Sequence, residues 1–225
     1  MGQPSVEKKT VLLLGATGLV GGHILKCLLD SETCGRVIAL TRSAITGAEA
    51  LSKLDSRIVD FGRPDAWLDQ VAGDQTICAL GTTIKKAGSR KAFRQVDFEY
   101  PRMIAEAALN AGCRHFLLVS AMGADANSPL FYNRVKGELE AAILAMGFTG
   151  VSIFRPSLLL GDRREFRPGE AVGQVLGCWF GFAIPKRYRP VHARTVAAAV
   201  VRVAATDAAG NRVLASDAIA EWGAD

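Results

Sequence analysis

Tyr132 and Lys136 stand four residues apart in a stretch, residues 130–146, whose apolar periodicity predicts a helix. That spacing is just over one turn, so both side chains leave the same face. The chemistry open to such a pair is proton transfer. A phenol titrates at about 10 and is a poor base at neutral pH, but a neighbouring ammonium, joined by a positively charged cofactor, would stabilise its phenolate and lower that value. Ser120 lies twelve residues before Tyr132 at the end of an apolar run, and its hydroxyl is placed to hydrogen-bond a substrate oxygen. Ser120, Tyr132 and Lys136 are therefore the catalytic candidates, converging on one carbonyl or alcohol. A YxxxK spacing alone describes many helix surfaces, so its weight comes from what accompanies it.

What accompanies it is Gly15-Ala16-Thr17-Gly18-Leu19-Val20-Gly21, which follows the apolar run at residues 11–14 and opens a helix. The pattern is GxxGxxG. Glycines at a strand-to-helix turn let backbone approach a pyrophosphate, and the free N–H groups of the helix start suit an anion. Gly15, Thr17, Gly18, Leu19 and Val20 are accordingly expected to bind a dinucleotide. An acidic residue at the end of the second strand would select the ribose hydroxyl of NAD, but Leu40-Thr41-Arg42-Ser43 has none. Arg42 and Ser43 instead suit a 2′-phosphate, which favours NADP(H) over NAD(H). The alternative is an Arg42 lying solvated over the adenine. Asp60 and Phe61 after the third strand are expected to border the adenine, and Leu80, Gly81 and Thr82 after the fourth to pass the ribose and phosphates.

These residues need a frame that brings strand ends together. Short β-branched or Leu-rich runs at 11–14, 37–41, 56–60, 76–80, 115–119 and 150–154 alternate with amphipathic segments at 20–29, 65–71, 99–111 and 130–146. This is the pattern of repeated βαβ units feeding a buried parallel sheet. The expected class is α/β, a doubly wound Rossmann sheet. It is expected to form one domain over 1–225, with a small C-terminal substrate lobe from about 157 that ends in an alanine-rich helix at 193–205.

The bulk properties exclude other classes. Apolar residues make up 49% and charged residues 22%, which argues against disorder. The net charge of +5 is scattered with no long basic run, so nucleic acid is not an expected partner. Cys27, Cys34, Cys78, Cys113 and Cys178 show neither CxxC nor zinc spacing, so reduced buried thiols are expected and no metal. The polar first ten residues lack a signal peptide and the longest apolar stretch is too short to span a bilayer. A cytoplasmic location is the resulting expectation.

Through the glycine turn, Ser120 and Tyr132-Asn133-Arg134-Val135-Lys136, the sequence resembles the short-chain dehydrogenase/reductase superfamily over most of its length. More narrowly, Leu80 to Thr83, Tyr132 to Glu138 and Arg155 to Glu170 resemble the atypical branch that contains the human Tat-interactive oxidoreductase-like protein. The resemblance implies bound NADP(H), Tyr132 as proton donor or acceptor and Lys136 on the nicotinamide ribose. It also implies Pro156 and Ser157 at the nicotinamide end; pairing through the two long helices after strands four and five is common in the superfamily, and the oligomeric state stays open between a homodimer and a chain with a regulatory protein partner. Two departures stand out. The superfamily often places an asparagine in the helix after the fourth strand, where the nearest candidate is Asp97. About seventy residues follow Phe154, fewer than sugar-nucleotide epimerases use for their substrate domains, so that chemistry is disfavoured.

Other residues stay open. Arg163, Arg164 and Arg167 form either an anion-binding rim or a solvated loop. His192 is read as fixing a loop before reaching a pocket. Trp179, Phe180 and Phe182 within residues 172–184 suit the core by default, with a substrate pocket, a dimer contact or a membrane-facing patch as alternatives. Two functions follow: an NADP(H)-dependent oxidoreductase acting on a small carbonyl or alcohol, and a cofactor-sensing regulator with a protein partner and little turnover.

Overall fold

A computed structural model describes residues 8–161 and 185–224 of the chain. Arg163, Arg164, Arg167, Cys178 and the 172–184 segment lie outside the described residues.

The strands β1 (Lys9–Leu14), β2 (Cys34–Thr41), β3 (Leu54–Ile58), β4 (Gln75–Cys78), β5 (His115–Val119) and β6 (Gly150–Arg155) form in chain order. Beyond a short parallel pair, β7 (Leu159–Leu160) with β8 (Val191–His192), comes β9 (Gly210–Ala215). The main sheet runs β3-β2-β1-β4-β5-β6-β9, all parallel. Successive residues of β1 sort to opposite faces, Val11 and Leu13 into one core cluster and Leu12 and Leu14 into the other. Period-two alternation in a strand covered on both sides produces this split, and explains why the run is apolar throughout.

Helices α1 (Leu19–Asp30) and α6 (Ala193–Thr206) cover the first face, where Ile24 and Leu28 share a cluster with Val196, Val200 and Val203. The second face carries α4 (Tyr100–Asn110) and α5 (Phe131–Ala145), which bury Ile104, Leu139 and Ile143. Each such side chain withdrawn from water is worth about 1.5–3 kcal/mol. Between β4 and α4 lie α2 (Ile84–Ala87), α3 (Arg90–Arg94) and a π turn at Gln95–Glu99, and the chain closes on α7 (Ser216–Trp222). Strand order reverses between β1 and β4, so the crevice of a doubly wound sheet opens at their carboxyl ends.

Local structure departs from the sequence reading in three places. The helix predicted at 65–71 is two 3-10 turns, Pro64–Ala66 and Leu68–Gln70, because Pro64 and the Trp67 indole, which donates to the Asp60 carbonyl at 2.8 Å, hold a tighter path. The helix predicted at 99–111 forms as α4, and α3 and the π turn ahead of it have no counterpart in the sequence reading. Strand β9 had no counterpart in the sequence reading: it is an edge strand with one buried apolar residue, Leu214, so apolar alternation is weak.

At the amino end of the sheet, Asp207 accepts from Gln75 and Lys9, both at 2.7 Å. His115, 2% exposed, has Nε2 2.9 Å from the Ser152 hydroxyl. Burial pushes its imidazole down to about 4 despite nearby Asp207. Cys34, Cys78 and Cys113 are free and buried, and burial raises their thiols, that of Cys78 to about 11.

Candidate active site

The glycine turn is built by close approach. Gly15 has φ +83°, and a Cβ there would stand 2.6 Å from the Ala79 carbonyl oxygen at the end of β4. A Cβ on Gly21 would stand 2.0 Å from the Gly15 carbonyl oxygen, so that glycine lets α1 start directly against the turn. Gly18 caps α1 with no side-chain hydrogen bond and no acid occupies the first turn. The helix start thus keeps its unpaired N–H groups and positive dipole end, the conditions for an anion. Leu19 and Val20 contribute backbone to this helix start, while their side chains pack inward.

From the turn runs a cavity of about 440 Å³, bounded by Gly15, Thr17 and Gly18, by Leu40 to Arg42, by Phe61 and by Leu80 to Thr82. Arg42 is exposed on its rim and makes no ion pair among the described residues. By contrast Arg36 and Arg57 are both held by Asp55 at 2.7 Å. Ser43 and Asp60 do not line the cavity. The Asp60 carboxylate accepts instead from the Gly62 N–H at 2.9 Å, and Phe61 alone of that pair forms a wall, against Tyr100.

Beyond the Gly81 end of this cavity sits the predicted pair. Lys136 is 4% exposed, and a Cβ on Gly81 would stand 3.7 Å from its Nζ. Tyr132 is half-buried against Phe93, ring centroids 5.5 Å apart. The residue that sequence reasoning left in doubt completes the group: Asp97, 0% exposed, has Oδ1 2.7 Å from Lys136 Nζ while Oδ2 accepts from the Thr82 N–H at 2.9 Å. Burial opposes the Lys136 charge, but Asp97 and Tyr132 outweigh it and hold the ammonium above its ordinary value. The signal for Asp97 was present in its place after the fourth strand; the absence of an amide obscured it.

Ser120 is placed otherwise than expected. It is 7% exposed and its hydroxyl donates to Glu140, itself 3% exposed and gripped by the Arg155 guanidinium. A hydroxyl has one proton, so the geometry commits it to Glu140 and leaves none for a substrate oxygen. Pro156 is buried, its carbonyl accepting from the Met122 N–H at 2.9 Å, and Ser157 is tied to the last third of the chain through Ser216 and the Arg189 carbonyl. Neither lines the cavity. His192 is exposed at the start of α6.

Residues 15–147 match the NAD(P)H-binding family. This chain belongs to that family. It is 38% identical to protein HTATIP2 of Rattus norvegicus over 188 residues, covering 80% of this chain and 77% of that protein. It is 37% identical to the mitochondrial protein FMP52 of Candida albicans over 176 residues, covering 76% of each. Among solved structures it superposes on MoeE5 in complex with UDP-glucose and NAD with a TM-score of 0.70 at 16% identity, over 91% of this chain and 75% of that one. A UDP-glucuronic acid 4-epimerase from Bacillus cereus in complex with NAD matches with a TM-score of 0.66 at 14% identity, over 92% and 77%. These structural likenesses establish the Rossmann-type fold, which alone does not carry function.

The expected cytoplasmic location is overturned by the fungal relatives, which are named as mitochondrial proteins. Reduced thiols and a globular composition do not distinguish one internal compartment from another. Among the described residues no helix is long and apolar enough to cross a membrane.

Proposed function

We propose that this protein is an NADP(H)-dependent oxidoreductase of the short-chain dehydrogenase/reductase type, acting on a small carbonyl or alcohol. The observation that carries this reading is the continuity from the glycine turn, through the cavity, to a buried charged lysine beside a tyrosine. The glycine cradle and unpaired helix start suit the pyrophosphate, and Arg42, without an ion pair among the described residues and at the end of a strand without an acid, suits a 2′-phosphate. When bound, the dinucleotide supplies the two-electron transfer. The chain's own task is then orientation and proton handling: Lys136 holds the ribose and its charge favours the Tyr132 phenolate, and Tyr132 gives or takes the proton at the substrate oxygen. We read 1–225 as one cofactor-binding unit, since β9 joins the main sheet and α6 packs on α1. A panel of small carbonyls tests the activity. NADPH oxidation abolished in Tyr132→Phe is expected; no oxidation above that variant for any substrate would overturn it.

A second reading, a cofactor-sensing protein with little turnover and a protein partner, is favoured by the Ser120 hydroxyl being committed to Glu140. It predicts tight NADPH binding with no turnover across the panel.

A further inference from the structure

We propose that Asp97 is a positioning residue of the candidate site, whose carboxylate keeps Lys136 charged and in place and ties that ammonium to the backbone along which the cofactor would run. That Lys136 serves a cofactor rests on the oxidoreductase reading above; the pairing itself does not.

The argument begins with the lysine's surroundings. At 4% exposure the Lys136 ammonium has lost nearly all its water, and burial drives a lysine toward the neutral amine. A neutral amine would neither favour the Tyr132 phenolate nor donate as strongly to ribose hydroxyls. Its charge therefore needs a partner. Glu140 stands one turn further along α5, the usual place for one, but Arg155 and Ser120 occupy it. The Cys78 thiol, on β4, is neutral because burial raises it to about 11, and Tyr132 on the lysine's own helix attracts the ammonium only as a phenolate, the form that the ammonium is needed to favour. Among the described residues Asp97 is the one carboxylate paired with Lys136.

Asp97 is also locked in place. It sits in the π turn at Gln95–Glu99, is 0% exposed, and its second oxygen accepts from the Thr82 N–H. A Cβ on Gly81 would lie 3.5 Å from Asp97 Oδ1 and 3.7 Å from Lys136 Nζ. One carboxylate thus fixes both the ammonium and the strip of backbone that forms the cavity's end. An asparagine would keep that shape and could accept from Thr82, but would carry no charge to offset the ammonium.

This difference supplies the test. The full-length protein, carrying lysines labelled with 13C at Cε, is titrated by NMR from about pH 6 to about pH 11, with Lys136 assigned by its loss in Lys136→Arg. Wild-type Lys136 is expected to keep its proton beyond the ordinary lysine range, and in Asp97→Asn to lose it roughly one pH unit or more below the wild type. NADPH affinity of that variant, measured by calorimetry, is expected to fall as pH rises through the same value. Coincident titrations in the two proteins would overturn the proposal, since a purely structural role is filled by the amide. Should Asp97→Asn fail to fold, thermal melts of Lys136→Met and of the double variant decide. A double variant that folds and melts above Lys136→Met supports the pairing, because removing the carboxylate charge then relieves the group stranded by the first change; a double variant that fails to fold, or melts below Lys136→Met, overturns it. Absence of NADPH binding to the wild type would sink the oxidoreductase reading and leave the titration to judge Asp97.

Discussion

The hydroxyl of Ser120 donates to the carboxylate of Glu140, eight residues beyond Tyr132 on the same helix. Two further donors reach that carboxylate from Arg155, so a strand-end serine, a helix and the end of β6 are joined behind the site. Ser120→Ala is expected to cost about 1.5–3 kcal/mol of stability in urea unfolding, the loss of one hydrogen bond to a charged group. Turnover per folded molecule should fall less than about tenfold; a drop of about a hundredfold or more at unchanged stability would identify a substrate donor instead.

Arg42→Ala should weaken NADPH binding by about tenfold or more while leaving NADH binding nearly unchanged, because a guanidinium meeting a phosphate contributes about 1.5–3 kcal/mol. Calorimetry with the two cofactors reads this directly. Equal losses for both would mean that Arg42 lies over the adenine.

Gly21→Ala forces a methyl group to within 2.0 Å of the Gly15 carbonyl oxygen, a contact that only backbone movement relieves. A destabilisation of about 3 kcal/mol or more is expected, with loss of cofactor binding, since the displaced backbone is the cradle itself. Gly22, whose Cβ would lie 3.5 Å from the Ala16 carbonyl oxygen, accepts alanine with little change and serves as the control.

The His115 imidazole, held at about 4 in the folded protein against 6.5 in a free chain, binds its proton more weakly folded than unfolded. Its contribution is fully present above the unfolded value and is lost as pH falls from about 6.5 toward about 4. The loss should amount to about 3 kcal/mol across that window. Asp207, whose carboxylate Lys9 and Gln75 hold below its ordinary value against the pull of burial, adds a further loss at lower pH. His115→Gln, which can still meet Ser152, should flatten the upper part of the curve; an unchanged slope would assign the acid sensitivity elsewhere.

How far the sequence revealed all this depended on whether a feature is local. The β1 run and the glycine turn are contiguous, so period, turn chemistry and helix start coincide within a dozen residues and the fold could be read from them. Tyr132 and Lys136 share a helix, so their common face was legible as well. Asp97 and Lys136 are brought together only by the packing of two helices over the sheet, and no spacing encodes that contact. The same holds for Ser120: its place at a strand end was readable, but its partner Glu140 is chosen by the rotation of α5. Strand β9 was missed because an edge strand exposes one side and carries few of the apolar residues that mark a strand.

The π turn ahead of α4 sets a limit on chain length. The Tyr100 N–H reaches back five residues to the Gln95 carbonyl, so this turn holds one residue more than an α-helix would need. Each residue turns a helix by about 100°. Deleting one here would let the helix run straight, but everything on its amino side would swing by that angle relative to Ile104 and Ala105, which face the core. Phe93 would leave the Tyr132 ring and Arg94 its carboxylate partner on α5, Glu138. A relative that differs in length between Phe93 and Ile104 should therefore have lost the wall of this site, whatever residues it retains elsewhere.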